Sequence, residues 1–286
     1  MKISVSTYSY SKLMAKNEIT QLGCIAKAKE QGFDAVEIVG IIPHDGSSEL
    51  EYAEKIGAEA KRLDIPISNF TVGADFLLDT KKEIERVKQM VDFAEIIGTK
   101  SIRHDATSGF EKGTRKYRGF DDALPILADA CREVTEYAKT KGIKTMVENH
   151  GYFCQDSDRV EKLVNTVAHE NFGLLVDIGN FVCADERPEI AVGRVAPYAF
   201  YAHAKDFHIK SAQMQNPGAG FFRSRNGTYL RGAIIGHGDV PVTNCIATLK
   251  RADYDGYIAI EFEGMEDTLE GIAIGLENLR RYIAIS

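Results

Sequence analysis

The chain has 286 residues, 44% hydrophobic and 27% charged, the balance of an ordinary globular protein large enough to form its own core without disulfide or metal staples. A net charge of −7 and a pI near 5.6 argue against a nucleic-acid partner, which would need a basic face. The N-terminal MKISVSTYSYSK lacks the apolar run of a secretory signal and no stretch approaches a membrane span, so a cytoplasmic chain with no membrane partner is expected.

In chain order, short apolar runs alternate with longer amphipathic ones. Strands are predicted at 2–10, 33–40, 65–73, 100–106, 144–150, 172–180, 199–207 and 257–264. Between them, apolar positions three or four apart predict helices over 19–31, 51–63, 81–97, 121–141 and 158–169, and a last helix over 269–283 closes the chain. Gly32, Gly98 and Gly142 stand where helix ends are expected, and Asp156 or Ser157 where one begins. Such alternation implies parallel strands with helical crossovers, and eight repeats point to a closed barrel. A doubly wound sheet would show a glycine-rich turn after its first strand, where TYSYSKLM stands instead. The expected fold is a single-domain (β/α)8 TIM barrel over residues 1–286, with a long insertion at 209–239 between strands seven and eight. Cys24, Cys131, Cys154, Cys183 and Cys245 are odd in number and lack a CxxC pair, as expected of reduced, structural thiols.

Barrel active sites lie at the carboxyl ends of the strands. Here those ends are polar: Glu148 ends the fifth, Asp177 the sixth, and His203 and Glu261 lie late in the seventh and eighth. Alternate side chains share a face, so Met146, Glu148 and His150 point one way, as do Leu175 and Asp177, Tyr201, His203 and Lys205, and Ala259, Glu261 and Glu263. Three carboxylates converging near one axis would repel one another by several kcal/mol, and a divalent cation resolves this. Three oxygens and one nitrogen suit Mn²⁺, Mg²⁺ or Co²⁺ and accommodate Zn²⁺.

ENHG (148–151), VDIGN (176–180), HAKD (203–206), GHGDV (236–240) and AIEFEG (259–264), in this order, resemble the xylose isomerase-like superfamily of sugar phosphate isomerases and epimerases. The resemblance implies a TIM barrel with one divalent metal ion held by Glu148, Asp177, His203 and Glu261. It also implies that Glu148 and Glu261 exchange protons at the carbon next to a substrate carbonyl, through an enediolate. The implied function is that of a metal-dependent isomerase or epimerase of a sugar or sugar derivative, with an inosose dehydratase-type lyase or a non-catalytic carbohydrate-binding barrel as alternatives. Two positions depart from the ketose 3-epimerases of the family: Asn180 replaces a substrate-binding histidine, and Ile209 replaces an arginine. His237 takes the place of a more usual carboxylate in the GHGD turn.

Weaker substrate-binding candidates are His150, His104, Asn180, Lys205, His237 and Arg231. Glu37 is placed to orient a ligand or pair with a basic neighbour, Asp206 to support the site or cap a turn, and His208 to compete with His203, although it lies beyond the strand. Arg223, Arg225 and Arg231 could close over an anionic substrate. Asn149 should point away from the site. A small-molecule carbohydrate is the expected partner, and Phe221, Phe222 and Tyr229 make a homo-oligomer contact plausible.

Overall fold

The structure is a computed structural model that describes residues 1–111, 113 and 118–286. Strands β1 (Lys2–Ser6), β2 (Ala35–Val39), β3 (Ile67–Val72), β4 (Ser101–His104), β5 (Lys144–Glu148), β6 (Phe172–Asp177) and β7 (Ala199–Ala204) are all parallel. Three accessory strands, β8 (Asp206–Lys210), β9 (Phe222–Arg223) and β10 (Tyr229–Ala233), precede β11 (Tyr257–Ile260), which pairs with both β7 and β1 and closes the barrel.

Around it run the helices α1 (Ser11–Ala15), α2 (Gln21–Gln31), α3 (Glu49–Arg62), α4 (Thr80–Ile97), α5 (Phe120–Thr140), α6 (Ser157–Val167), α7 (Pro188–Val195), α8 (Val242–Arg251) and α9 (Thr268–Ile285). Their local signals work as the sequence suggests. Gly32 and Gly98 end α2 and α4 in the left-handed region, and the Asp156 carboxylate accepts the Arg159 amide at the start of α6. Helices α7 and α8 fall where no helix is predicted from the sequence; α7 is only eight residues long and opens on Pro188. No helix among the described residues is long and apolar enough to cross a membrane.

The main apolar core lies between the strands and the helices, as wrapping a barrel with crossover helices requires. Inside the barrel a smaller layer of Met146, Leu175, Tyr201 and Ala259 fills the lumen directly beneath the polar strand ends. Below it the Tyr201 hydroxyl bonds Ser68 Oγ at 2.7 Å, and Ser68 bonds Ser4 Oγ at 2.8 Å. The floor of any site above is therefore solid.

The strands stop earlier than their sequence runs suggest. The seventh ends at Ala204, and after Lys205 the chain leaves the barrel as β8, which pairs antiparallel with β10, as β10 does with β9. This small sheet occupies much of the segment that reads as irregular from sequence, because β9 and β10 are too short and too interrupted by Gly and Asn to show a period. The buried Asp206 carboxylate holds the far end of the segment, accepting amides from Phe207, Gly236, Gly238 and Val240 at 2.8–3.1 Å.

All five cysteines are free and buried. Burial pushes the thiols of Cys24, Cys154, Cys183 and Cys245 up to about 12, which keeps them protonated and unreactive near neutral pH.

Candidate metal centre

Glu148, Asp177, His203 and Glu261 each offer a donor atom, and the four donors all lie within 4.8 Å of one another at the carboxyl end of the barrel. Pleat parity places them: each follows a lumen-facing residue of the apolar layer by two positions. His203 Nδ1 sits 3.8 Å from Glu148 Oε1 and 3.7 Å from both Asp177 Oδ2 and Glu261 Oε2. Nδ1 and Asp177 Oδ2 are both buried without a hydrogen-bond partner. An unpartnered ring nitrogen and three carboxylate oxygens too far apart to hydrogen-bond one another would be satisfied by a divalent cation among them, even though the Lys205 ammonium lies 3.3 Å from Asp177 Oδ2. The residues present thus fit a divalent ion, and the donor set is that of a hard-to-intermediate metal.

The surrounding residues fix these donors. His203 Nε2 lies 2.8 Å from Glu37 Oε2 on β2, so the ring donates its proton there and keeps Nδ1 free for a metal. Glu37 in turn accepts from Asn69 Nδ2 at 2.9 Å and Thr71 Oγ1 at 3.0 Å. Burial opposes charge on Glu37, but His203, with the Asn69 amide and Ser6, outweighs it and lowers its pKa. Burial likewise opposes charge on His203, yet Glu37 and Glu261 hold its pKa well above the ordinary imidazole range, so a metal ion at Nδ1 would have to displace a proton. Replacing Glu37 with Gln is expected to weaken Mn²⁺ binding by roughly 10–100-fold in isothermal titration calorimetry. An unchanged affinity would show that Glu37 does not orient the imidazole.

Asp177 Oδ1 accepts the Gly179 and Asn180 amides, each at 2.8 Å, leaving Oδ2 for the cluster. The chain must then turn tightly: a Cβ on Gly179 would stand 2.6 Å from the Lys205 carbonyl oxygen, so only glycine fits. Asn180 joins two members of the site, donating from Nδ2 to Glu148 Oε1 at 3.0 Å and accepting from Lys205 Nζ at 3.1 Å. Lys205, buried, contacts Glu261 Oε2 and lies 3.3 Å from both Asp177 Oδ2 and Glu263 Oε1. Burial works against its charge, but Asp177, Glu261 and Glu263 keep the ammonium well above its usual pKa. Asn180 and Lys205 are thus brought to the centre.

Arg103 is the site residue that the sequence reading underweights. Its Nη2 pairs with the buried Glu148 Oε2 at 2.5 Å and with the partly exposed Asp105 Oδ1 at 2.9 Å. Burial raises the Glu148 pKa, and Arg103 and His203 only partly offset it. Asp105 also meets His150 Nδ1 at 2.9 Å, so His150 stands half-exposed at the rim, beside a cleft it shares with Asn180, Lys205 and Glu263.

Three candidates lie elsewhere. His104, one residue after Arg103, has the opposite parity and packs edge-on against Phe76 behind the sheet, with Nδ1 near its neighbour's carbonyl. His237 is exposed on its turn, contributing only its amide to the Ile234 carbonyl, because Asp206 rather than the histidine organises that turn. Arg231 points to Glu266 at 3.4 Å and to the Phe221 ring. Of the other loop arginines, Arg225 is tied to Asp156 at 3.0 Å and Arg223 to the Tyr229 hydroxyl at 2.9 Å, so none of the three stands free to close over an anion. His208, in β8 opposite Arg231, is outside the ligand cluster. Asn149 does point away from the lumen, and for a reason: its side chain bonds the Asp177 amide and carbonyl at 2.9 and 2.8 Å, locking β5 to β6 where each ends on a ligand.

His104 gives a pH prediction. Burial pushes its pKa down to about 4, so the unfolded chain binds a proton first as the pH falls. Its contribution to stability is full above about pH 6.5 and is lost by about pH 4, on the order of 3 kcal/mol. In urea unfolding, His104→Leu should depend less on pH across that window than the parent; an identical pH slope would contradict a buried neutral histidine.

The chain is similar to an uncharacterized protein, YihM, of Escherichia coli K12, with 26% identity over 197 residues, or 68% of this chain and 51% of the relative. The match thus spans about half the length of that curated relative. Among solved structures, the probable 3-DHS dehydratase AsbF of Bacillus anthracis superposes with a TM-score of 0.75, at 20% identity over 98% of this chain and 99% of that one. The 3-keto-D-glucoside 4-epimerase YcjR of E. coli superposes with a TM-score of 0.71, at 16% identity over 98% and 99%. A family model described as xylose isomerase-like TIM barrel matches residues 25–282 and agrees with the closed eight-stranded barrel, and the chain belongs to that family.

Proposed function

We propose that this protein is a divalent-metal-dependent isomerase or epimerase of a sugar or sugar derivative, working by proton transfer at the carbon next to a carbonyl. The observation that carries the reading is the convergence of four donors, with the unpartnered His203 Nδ1 facing Asp177, Glu148 and Glu261. A bound divalent ion would polarise the substrate carbonyl and neighbouring hydroxyl and stabilise the enediolate. Glu148 and Glu261 serve as ligands and as the acid/base pair. Their surroundings divide the work: both Glu148 oxygens are engaged, by Asn180 and Arg103, whereas Glu261 is held through one oxygen by Lys205. Glu261 is therefore the base that removes the α-proton, and Glu148 the partner on the opposite side. The E. coli 4-epimerase that shares this fold supports the reaction class.

A dehydratase reading is favoured by Lys205, whose buried ammonium lies beside Glu261 and lines the same cleft, placed to donate a charged hydrogen bond to a departing hydroxyl. The dehydratase of B. anthracis supports that variant, and a product lighter by one water would establish it.

Purified protein should contain about one divalent metal ion per chain by elemental analysis. In D₂O, with a panel of ketoses, inososes and keto sugars, the metal-loaded protein should exchange a substrate α-proton, followed by NMR. Metal-loaded protein with no exchange on any member would replace this reading with a carbohydrate-binding barrel.

A further inference from the structure

The mouth of the barrel holds two adjoining clefts, neither lined by the four candidate ligands themselves. The inner cleft, about 150 Å³, is lined by His150, Asn180 and Lys205, which touch the ligand residues. The outer one, about 250 Å³, is lined by Tyr8, Ser11, Lys12 and Thr268 and by none of the four ligand residues. Phe222 and Glu263 line both, so the two open onto each other across that pair. Residues that bond the ligands thus line the inner cleft, whereas Glu263, 3.3 Å from Lys205, links the outer cleft to them.

The outer walls have the chemistry of a sugar subsite. Phe222 is 38% exposed, with its ring held edge-on by Phe207 at 5.8 Å, which leaves a face for the C–H side of a ring. The same cleft is lined by Tyr8, Ser11, Thr268 and Glu263, residues that carry donors and acceptors suited to sugar hydroxyl groups. Lys12 already donates to the Gly264 carbonyl, and Glu263 repels an anion. The accessory sheet is shaped to build this wall. A Cβ on Gly220, whose φ is +86°, would stand 2.2 Å from Met265 Sδ, so the glycine lets the β9 approach lie directly on the loop that carries Glu263.

We infer that the outer cleft is a subsite for a second, non-reacting sugar ring, and that the substrate is a neutral glycoside whose reacting ring occupies the inner cleft. The assignment rests on the proposed reaction for the role of the inner cleft, and gives the segment between β7 and β11 a function as the platform for the second ring.

The test is binding, read independently of turnover. Mg²⁺-loaded full-length protein is titrated by saturation-transfer NMR with glucose, glucose 6-phosphate and α- and β-linked glucose disaccharides. At least one disaccharide should bind about tenfold tighter than glucose and tighter than glucose 6-phosphate, and in Phe222→Ala and Tyr8→Ala this ratio should fall towards one. Equal affinities, preference for the phosphate, a ratio unmoved by both substitutions, or no binding by any sugar would overturn the subsite. Disaccharide preference in a protein that exchanges no α-proton would sink the proposed reaction while leaving the subsite standing. Exchange of free ketoses without any preference for glycosides would do the reverse.

Discussion

Glu261→Gln should abolish most of the α-proton exchange, by roughly 10²–10⁴-fold, because it removes a general base while keeping a neutral oxygen on the ligand side. The fold should survive: Glu261 lies just after β11, and its amide bond to the Ala204 carbonyl is unaffected by the side chain. The comparison that gives the result meaning is Glu263→Gln. Both carboxylates face Lys205, but only Glu261 belongs to the ligand cluster, 3.7 Å from His203 Nδ1. Exchange in D₂O and metal content are measured on both variants. A Glu261→Gln protein with full exchange, or a Glu263→Gln protein with the greater loss, would move the base to Glu263.

Arg103→Met should be the most destabilising single change at the site. It leaves the buried Glu148 carboxylate, and Asp105 beside it, without their cation, at a cost of roughly 3–5 kcal/mol. For a chain of this size that corresponds to a melting temperature lower by about 10 °C. Asp105, whose burial is outweighed by Arg103 so that its pKa is lowered to about 2, would lose its main support. The double variant Arg103→Met/Glu148→Gln should recover part of the loss, since it removes the stranded charge, although it would remain inactive. Thermal unfolding in the presence of a chelator separates this effect from metal binding. A single variant as stable as the parent would mean that water, rather than Arg103, solvates Glu148.

Much of the site was legible because pleat parity is local. Glu148, Asp177, His203 and Glu261 could be assigned to one face from residues two positions away, and the barrel followed from the alternation of strand and helix periods. The same parity applied to β4 selects Arg103 over the substrate-binding candidate His104, since Ser101 and Arg103, not Ile102 and His104, face the lumen, as the Ser101 hydroxyl bond to Asn69 shows. Asn149 was placed correctly as pointing away, but its purpose depends on a partner in the next strand.

The sequence by itself determined the order of strands and helices and the face each strand-end residue presents, since both follow from periods of two and 3.6 residues along the chain. Tertiary structure alone decided which groups meet. His203 finds Glu37 across the barrel, 166 residues away in sequence, through closure and strand register, and the loop arginines lose their freedom to Asp156, Glu266 and Tyr229. Likewise, Phe222 becomes the wall between two clefts only because the β9 segment folds back onto the Glu263 loop. Those meetings are set by how the sheet closes and where the insertion docks, and no repeating pattern along the chain encodes either.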